Sequence, residues 1–231
     1  MTERETEPDA AAETDRGTRT RLLDAAERLF AEQTYAATSL RQITAEAEAN
    51  LAAVHYHFGS KEALFEAVFH RRIGPVNAER LRRLGDLRDA AAAEDPPLEE
   101  VLMALFEPAV RLQETPEGRY FARIISRSLV AEGDHWRSVR NEYREVRDAF
   151  VPILKRACPH LSDTALVWRL HFALSGLCLV LSNPERIGAL TGGQCDPTDV
   201  EQMIGQLVQF TSTGLAAPDI APSTPAPSKA S

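Results

Sequence analysis

Apolar residues recur every three or four positions through most of this chain, which is the spacing of one face of an α-helix. The spacing predicts a first helix at about 18–33, two short helices after it, and a fourth that begins near residue 61. Five more helices are predicted at about 97–115, 116–133, 134–157, 162–183 and 198–213. No stretch alternates apolar and polar residues for long enough to form a sheet. The sequence therefore predicts an all-α protein of about nine helices.

Residues 38–61 predict two short helices that are joined by a sharp corner. Ser39 can cap the first of them, and Gln42 stands three residues later, as a capping box requires. Asn50 can cap the second helix, and too few residues lie between the two for anything but a tight turn. Two short helices that meet at a steep angle form a helix-turn-helix, whose second helix fits the major groove of DNA.

The two ends of the chain have compositions that predict disorder. Residues 1–15 are acidic and nearly lack large apolar side chains, and residues 215–231 are rich in Pro, Ser and Ala. Between the ends we expect a helix-turn-helix domain at 16–62 and a larger helical domain at 63–214. The Gly74-Pro75 pair predicts a kink or break in the helix that connects the two domains.

The formal net charge of −8 is unevenly distributed along the sequence. Residues 1–15 carry one basic and six acidic groups, residues 16–73 carry eight and seven, and residues 74–231 carry seventeen and twenty-one. The predicted helix-turn-helix therefore lies in the least acidic segment, with a net charge of +1. A nearly neutral DNA-binding domain makes few phosphate contacts, so tight binding would require a dimer that doubles them.

Several classes of protein are disfavoured by what the sequence lacks. No apolar run approaches the roughly 18 residues that span a bilayer, and the acidic start has no signal-peptide core. We therefore expect a cytoplasmic protein without a membrane partner. No catalytic motif suggests an enzyme, and no cofactor is expected. His55 and His57 lie two apart on a predicted helix and point to different sides, so we expect no metal site.

Residues 18–72 resemble the DNA-binding domain of the TetR family of bacterial repressors, most specifically in the run Tyr56–Leu64, YHFGSKEAL. Two positions depart from the family pattern: Thr34 and Glu48 each replace a usual glycine. Glu48 falls in the helix-turn-helix corner and must tolerate an unfavourable backbone conformation there, or the corner must open. The resemblance implies a homodimer that binds a palindromic operator in double-stranded DNA and meets its twin through the last two helices.

The resemblance also implies which side chains contact DNA. We expect base contacts from the second helix and phosphate contacts around it, with Arg41 able to make either. For the two histidines, packing against the fourth helix is the alternative interpretation. The expected base contacts are Leu51, Ala52 and His55, and the expected phosphate contacts are Thr38, Asn50, Tyr56, His57 and Lys61, with Ser39 beside them.

A second stretch, Trp168–Phe172 with Leu174 and Gly176, resembles the PsrA-like branch of the family, which responds to fatty acids. This resemblance implies a small apolar or amphipathic ligand, such as an acyl chain, and control of lipid metabolism. Arg123 or Arg169 could then meet a carboxylate or a coenzyme A phosphate, although plain core packing explains the aromatic residues equally well. The expected ligand contacts are Phe106, Phe121, Arg123, Trp168, His171, Phe172 and Ser175.

Two other functions remain open. The same fold could serve a repressor that senses drugs or aromatic compounds and controls an efflux or catabolic operon. Glu48 and the low positive charge also allow a helical adaptor that does not bind DNA.

Overall fold

The computed structural model describes residues 7–91, 94–130 and 141–220. All regular structure within these ranges is helical, as the sequence predicts. The described α-helices are α1 (Glu7–Glu32), α2 (Leu40–Glu46), α3 (Leu51–His57), α4 (Lys61–Ala91), α5 (Leu98–Val110), α6 (Pro116–Val130), α7 (Arg144–Ala157), α8 (Asp163–Ser182), α9 (Pro184–Leu190) and α10 (Val200–Ala216), and a 3₁₀-helix (Arg111–Glu114) follows α5.

The first three helices form a small bundle around the apolar stripe of α1. Leu22, Ile43 and Val54, one from each helix, are fully buried. The ring of Phe30 on α1 packs edge-on against Phe65 on α4 at 5.2 Å, which ties the bundle to the start of the next helix. Burial of aliphatic and aromatic side chains is the main favourable term in such a small unit. The bundle is therefore held together by the residues that the helical spacing predicts to face inward.

Helix α4 runs through Gly74-Pro75 without a break, whereas the sequence predicts a kink or break there. Pro75 has no N–H to donate to the backbone oxygen of Arg71, and this loss normally interrupts a helix. Ile73 and Val76 are nevertheless buried on either side of the pair, while Pro75 faces solvent. Tertiary packing of these neighbours outweighs the local preference, so one helix connects the two parts of the chain.

The larger part of the molecule is a helical bundle centred on α5. This helix packs against α4 and α10, and α6 packs against α8 on one side and α1 on the other. Phe69 on α4 links the layers, because its ring lies 5.0 Å from that of Phe121 on α6 and 6.4 Å from that of Tyr143 before α7. The contact between α1 and α6 brings the two parts of the chain together a second time.

The observed helices differ from the prediction at α1 and α9. Helix α1 begins at Glu7 and so extends into the stretch 1–15 that was predicted to be disordered; Ala10, Ala11 and Ala12 favour helix strongly enough to explain this extension. Helix α9 was not predicted, because it buries no residue and therefore shows no apolar spacing. The predicted helix start at Asp134 lies outside the described residues, as do residues 1–6 and 221–231 of the two predicted disordered ends.

Candidate nucleic-acid interface

The corner between α2 and α3 has the capping contacts that the sequence predicts. The backbone N–H of Ser39 donates to Oε1 of Gln42 at 2.7 Å, and the backbone N–H of Gln42 donates to Oγ of Ser39 at 3.2 Å. At the other end of the corner, Oδ1 of Asn50 accepts from the backbone N–H of Ala53 at 2.8 Å. Both short helices therefore begin at fixed residues, and these caps set the angle at which α3 leaves the corner.

Glu48 adopts the unfavourable backbone conformation that was predicted for this corner. Its φ of 48° is the one positive φ among the described residues other than glycine. The backbone N–H of Ala49 donates to the oxygen of Thr44 at 2.9 Å, and that of Glu48 donates to the oxygen of Ala45 at 3.4 Å. These two bonds form a Schellman ending for α2, a motif in which glycine usually takes the left-handed position. The corner therefore has the geometry of a glycine-containing corner, and the backbone of Glu48 is strained.

Helix α3 presents one face to solvent next to the exposed side of α2. Leu51 is 43% exposed and Tyr56 is 77% exposed, although both are large enough to favour burial. Val54, by contrast, is fully buried and is the inward position of α3. The exposed face joins seven of the ten predicted DNA contacts into one surface: Ser39, Arg41, Asn50, Leu51, Ala52, His55 and Tyr56.

The ring of His55 is held in one orientation on this surface. Its Nδ1 lies 2.9 Å from the backbone oxygen of Gly59. A carbonyl oxygen can only accept, so Nδ1 must carry the hydrogen and donate. In the neutral ring Nε2 is then an acceptor, which suits the amino group of cytosine or adenine; once protonated, Nε2 donates and suits guanine or a phosphate. His55 therefore enters the interface already oriented.

Three predicted DNA contacts do not lie freely on this surface. Thr38 is 1% exposed, and its hydroxyl donates to the backbone oxygen of Thr34 at 3.1 Å. The side chain of His57 is 6% exposed, and its Nε2 lies 3.4 Å from a carboxylate oxygen of Asp15 on α1. Both residues therefore stabilise the bundle, and His57 does so through α1 rather than through the fourth helix that the alternative interpretation named.

Lys61 is the third of these residues, and it is only partly available to DNA. Its ammonium group donates to the backbone oxygen of Tyr35 and lies 4.2 Å from the centroid of the Tyr35 ring. Burial lowers the pKa of Lys61. A cation over an aromatic face is attracted by the ring quadrupole, so Lys61 has a structural role that its place in the sequence does not reveal.

Few positive charges of the bundle are left for phosphate. Arg21 donates to the backbone oxygen of Ala47, and Arg28 pairs with Glu46. Two arginines of α4 share the carboxylate of Glu27, which is 3% exposed. The basic residues of 16–73 that make no ion pair within the described part of the chain are Arg16, Arg19, Arg21, Arg41 and Lys61, of which Arg21 and Lys61 bond to backbone oxygens.

Arg16 and Arg19 were not predicted to be DNA contacts. Both are exposed on α1, and the guanidinium of Arg19 lies 5.2 Å from the centroid of the Phe58 ring just after α3. The contact between His57 and Asp15 brings the same end of α1 beside α3. The signal in the sequence was the short basic run at 16–21, RGTRTR, which precedes the apolar stripe of α1. These two cations extend the polar edge of the surface.

The predicted ligand contacts do not come together in one pocket. Phe106 and Phe121 are fully buried in the bundle core. Trp168, His171, Phe172 and Ser175 instead lie on an exposed face of α8, and Arg123 is exposed on α6. Helix spacing identifies residues that share a face, but it does not say whether that face meets the core or solvent.

Arg169 on α8, a candidate for a ligand carboxylate, is already engaged. It donates to the backbone oxygens of Gly214 and Ala217 at 2.7 and 2.6 Å, and to that of Pro218 at 2.6 Å. These oxygens lie at the end of α10, where a helix leaves carbonyl groups without partners and favours a positive charge. Arg169 therefore caps α10.

Helix α8 exposes a row of apolar side chains, which we call the α8 face: Val167, Trp168, Phe172, Leu174 and Leu179. The rings of Trp168 and Phe172 stack at 5.5 Å, and both are more than half exposed. By length and composition α8 could cross a membrane, the one such helix in the part of the chain that the structure describes, although no apolar run of this length was expected. Only 28% of the span is buried within the chain. An apolar surface this large needs a covering.

The described ranges contain no group of three or more His, Cys, Asp or Glu side chains that could hold a metal ion. A cleft of about 630 Å³ lies behind the corner, between α1, α2 and α6. Its lining is largely charged and includes Arg28, Glu48, Arg72 and Glu117.

Two family models match the chain. One, described as bacterial regulatory proteins of the tetR family, matches residues 22–68, and the other, a tetracyclin repressor-like C-terminal domain, matches residues 103–214. The HTH-type transcriptional repressor NicS of Pseudomonas putida is 29% identical over 131 residues. That alignment covers 57% of this chain and 57% of NicS, so the chain spans little more than half the length of this curated relative.

Solved structures share the fold over most of the chain. The regulator FadR of Bacillus subtilis in complex with stearoyl-CoA superposes with a TM-score of 0.62 at 12% identity, and covers 84% of this chain and 98% of its own. NalD, a secondary repressor of the MexAB-OprM multidrug efflux pump in Pseudomonas aeruginosa, has a TM-score of 0.57 at 23% identity and covers 87% and 97%. At these identities the likeness supports the fold alone.

Proposed function

We propose a function from one premise: this chain belongs to the TetR family of bacterial regulatory proteins, because the two family models together match more than half of it. The function is that of a homodimeric transcriptional repressor, which binds a palindromic operator through α2 and α3 and is released by a small ligand. The exposed face of α3 is the observation that carries this proposal. Leu51 and Tyr56 are large side chains that are exposed on this face, and the ring of His55 beside them has a fixed orientation. A helix that contacts base edges requires such an exposed and ordered face.

The proposed dimer forms through the α8 face and α10. A surface with Trp168, Phe172 and, on α10, a 69% exposed Phe210 would leave water on association. A two-fold dimer presents two α3 helices to half-sites about one helical turn apart, or a multiple of that spacing. It also doubles the small number of free cations in each bundle, which a nearly neutral DNA-binding domain needs for tight binding.

The proposed ligand is apolar or amphipathic and is bound in the bundle of α4 to α10. The resemblance to the PsrA-like branch favours an acyl chain, and the shared fold with a FadR that binds stearoyl-CoA agrees with a ligand of this size. Sensing of drugs or aromatic compounds is the second candidate, and it is favoured by the shared fold with NalD. Operator complexes treated with fatty acids, acyl-CoA or aromatic drugs would separate the two, because only the effector releases DNA.

Selection of bound fragments from genomic DNA, followed by fluorescence anisotropy, tests the DNA-binding proposal. Ala52→Glu places a carboxylate on the exposed face of α3 and should weaken operator binding at least about tenfold. Ala78→Glu is the matched control, because Ala78 is an exposed alanine on α4 far along the chain from the corner. Equal affinity of the two variants would contradict the proposed docking.

Arg41→Ala separates phosphate contacts from base contacts. Arg41 is exposed and makes no ion pair within the described residues, so its loss should weaken binding to all sequences and reduce the salt slope by about 1. Lys61→Ala would be harder to interpret, because Lys61 also contacts Tyr35. If no genomic fragment is bound at low salt by the wild-type dimer, the adaptor alternative is the correct one.

A further inference from the structure

Arg80 is a buried cation inside the larger bundle, with 4% of its surface exposed. Its Nε donates to the backbone oxygen of Leu105 on α5 at 2.8 Å, and its Nη1 donates to Oδ1 of Asn77 at 2.9 Å. Both acceptors are neutral. A guanidinium has five N–H groups, so these two bonds leave three without an acceptor among the described residues.

Among the other partly buried arginines in the described ranges, Arg169 binds three backbone oxygens at the end of α10. Several others contact carboxylates: Arg71, Arg72, Arg83 and Arg111. Arg83 lies one helical turn after Arg80 on the same helix, and its Nη1 is 2.5 Å from a carboxylate oxygen of Glu107. Counter-ions therefore accompany Arg71, Arg72 and Arg83 along α4, whereas no carboxylate among the described residues pairs with Arg80.

A second residue fixes the position of the Arg80 guanidinium. Nδ2 of Asn77 donates to the backbone oxygen of Glu142 at 2.7 Å, which turns Oδ1 of Asn77 towards Arg80. The carboxylate of Glu142 does not join this network but contacts His70 at 3.1 Å. The guanidinium is therefore oriented by neutral groups, and no carboxylate within residues 7–91, 94–130 and 141–220 balances its charge.

The surroundings of Arg80 are apolar and aromatic. Tyr143 and Cys178 lie close enough to act on its charge, and burial raises the pKa of Tyr143 to about 12. From Tyr143 a row of rings leads through Phe69 to Phe121, with centroid distances of 6.4 and 5.0 Å. Burial also lowers the pKa of Arg80, yet a guanidinium stays protonated near neutral pH. A buried cation without a counter-ion is strongly unfavourable unless a bound anion offsets the cost.

We propose that Arg80 binds the carboxylate of an organic acid, whose apolar body lies along the neighbouring aromatic side chains, and that this acid is the effector. The inference rests on the proposed function and specifies its ligand class. A guanidinium fork matches a carboxylate in shape and charge, whereas a thioester such as acyl-CoA has no carboxylate at that end of its acyl chain. A free acid is therefore the expected ligand.

The position of Arg80 also connects the acid to the DNA-binding bundle. Arg80 is 19 residues beyond Lys61 on one continuous helix, a rise of about 28 Å. Because Arg80 is almost fully buried and bonds to α5, entry of an acid requires α5 to separate from α4 at this point. A ligand that binds only the separated state shifts the population towards it and moves the helix that carries the bundle.

Binding of matched acids and alcohols to the full-length dimer tests the proposal. The probes are butanoate, octanoate, dodecanoate, hexadecanoate and benzoate, each with its alcohol, together with dodecanoyl-CoA, and the readouts are titration calorimetry and the shift in Tm. At least one acid should bind roughly 10- to 100-fold more tightly than its alcohol. Arg80→Met should abolish that preference, whereas Arg88→Met, which removes an exposed arginine of α4, should retain it.

Three results would overturn the proposal: no acid binds, an acid and its alcohol bind equally, or Arg80→Met keeps the preference. If Arg80→Met does not fold, the comparison of acid with alcohol on the wild-type protein still tests the proposal. Arg80→Lys then tests the guanidinium group, and this variant should prefer the acid less strongly than the wild type but measurably. Tighter binding of dodecanoyl-CoA than of dodecanoate would also count against it. Operator binding is measured separately: loss of DNA binding refutes the proposed function, whereas intact DNA binding without acid preference refutes only the role of Arg80.

Discussion

Replacement of Glu48 by glycine tests whether the helix-turn-helix corner stores backbone strain. Glu48 has a φ of 48°, its side chain is exposed, and it ends α2 in a position where glycine is usual. No ion pair involving Glu48 occurs within the described ranges. The substitution therefore changes the backbone energy and the local charge, while it removes no packing from the core.

The expected gain in stability is the difference between two opposing effects. An L-residue in the left-handed region costs about 1–2 kcal/mol relative to its preferred conformations. Glycine avoids this cost but loses about 0.5–1 kcal/mol more conformational entropy on folding. Glu48→Gly should therefore raise the free energy of unfolding by about 0.5–1 kcal/mol, which corresponds to an increase in Tm of about 1–4 °C.

Glu48→Ala is the matched control, because alanine removes the carboxylate but keeps the Cβ that causes the strain. Urea denaturation of the three proteins should rank glycine above alanine, with alanine close to wild type. Operator affinity, measured by anisotropy, should rise equally in both variants, since both remove a negative charge near phosphate. If the alanine variant is as stable as the glycine variant, backbone strain does not explain the corner.

Further substitutions test three other parts of the structure. Glu27→Gln should lower the free energy of unfolding, measured in urea, by about 2–4 kcal/mol, because two partly buried arginines of α4 lose their shared carboxylate. A loss below about 1 kcal/mol, which is the value of a surface ion pair, would refute this reasoning. Trp168→Glu should convert the proposed dimer to a folded monomer, as light scattering and circular dichroism would reveal. His57→Ala should reduce stability more than His55→Ala does, while His55→Ala should reduce operator affinity more; the reverse ranking would contradict the two orientations.

The elements that local chemistry determines could be predicted from the sequence. Ser39 and Asn50 begin their helices as predicted, because a capping side chain needs only a free backbone N–H two or three residues away. The strain at Glu48 could also be predicted, since the corner geometry depends on backbone conformation rather than on distant contacts.

Features that depend on tertiary contacts could not be predicted. The sequence gives no sign that His57 meets Asp15, because this contact depends on the crossing of α1 over α3. The same limit applies to α8, where Trp168 and Phe172 have the helical spacing of a pocket but lie on an outer face. Spacing determines which residues share a side, while packing determines what that side meets.

Helix α4 explains how a ligand in one half of the molecule could influence DNA in the other. Its first turns are fastened to α1, because Arg71 and Arg72 share the buried carboxylate of Glu27. Farther along, Arg80 is oriented by Asn77 and has no carboxylate partner in the described part of the chain. In the proposed mechanism, a ligand at Arg80 would displace α4, and the contact with Glu27 would pass this displacement to α1. Glu27→Gln should therefore weaken the coupling between acid and operator even where each still binds, a result that separate and combined titrations would measure.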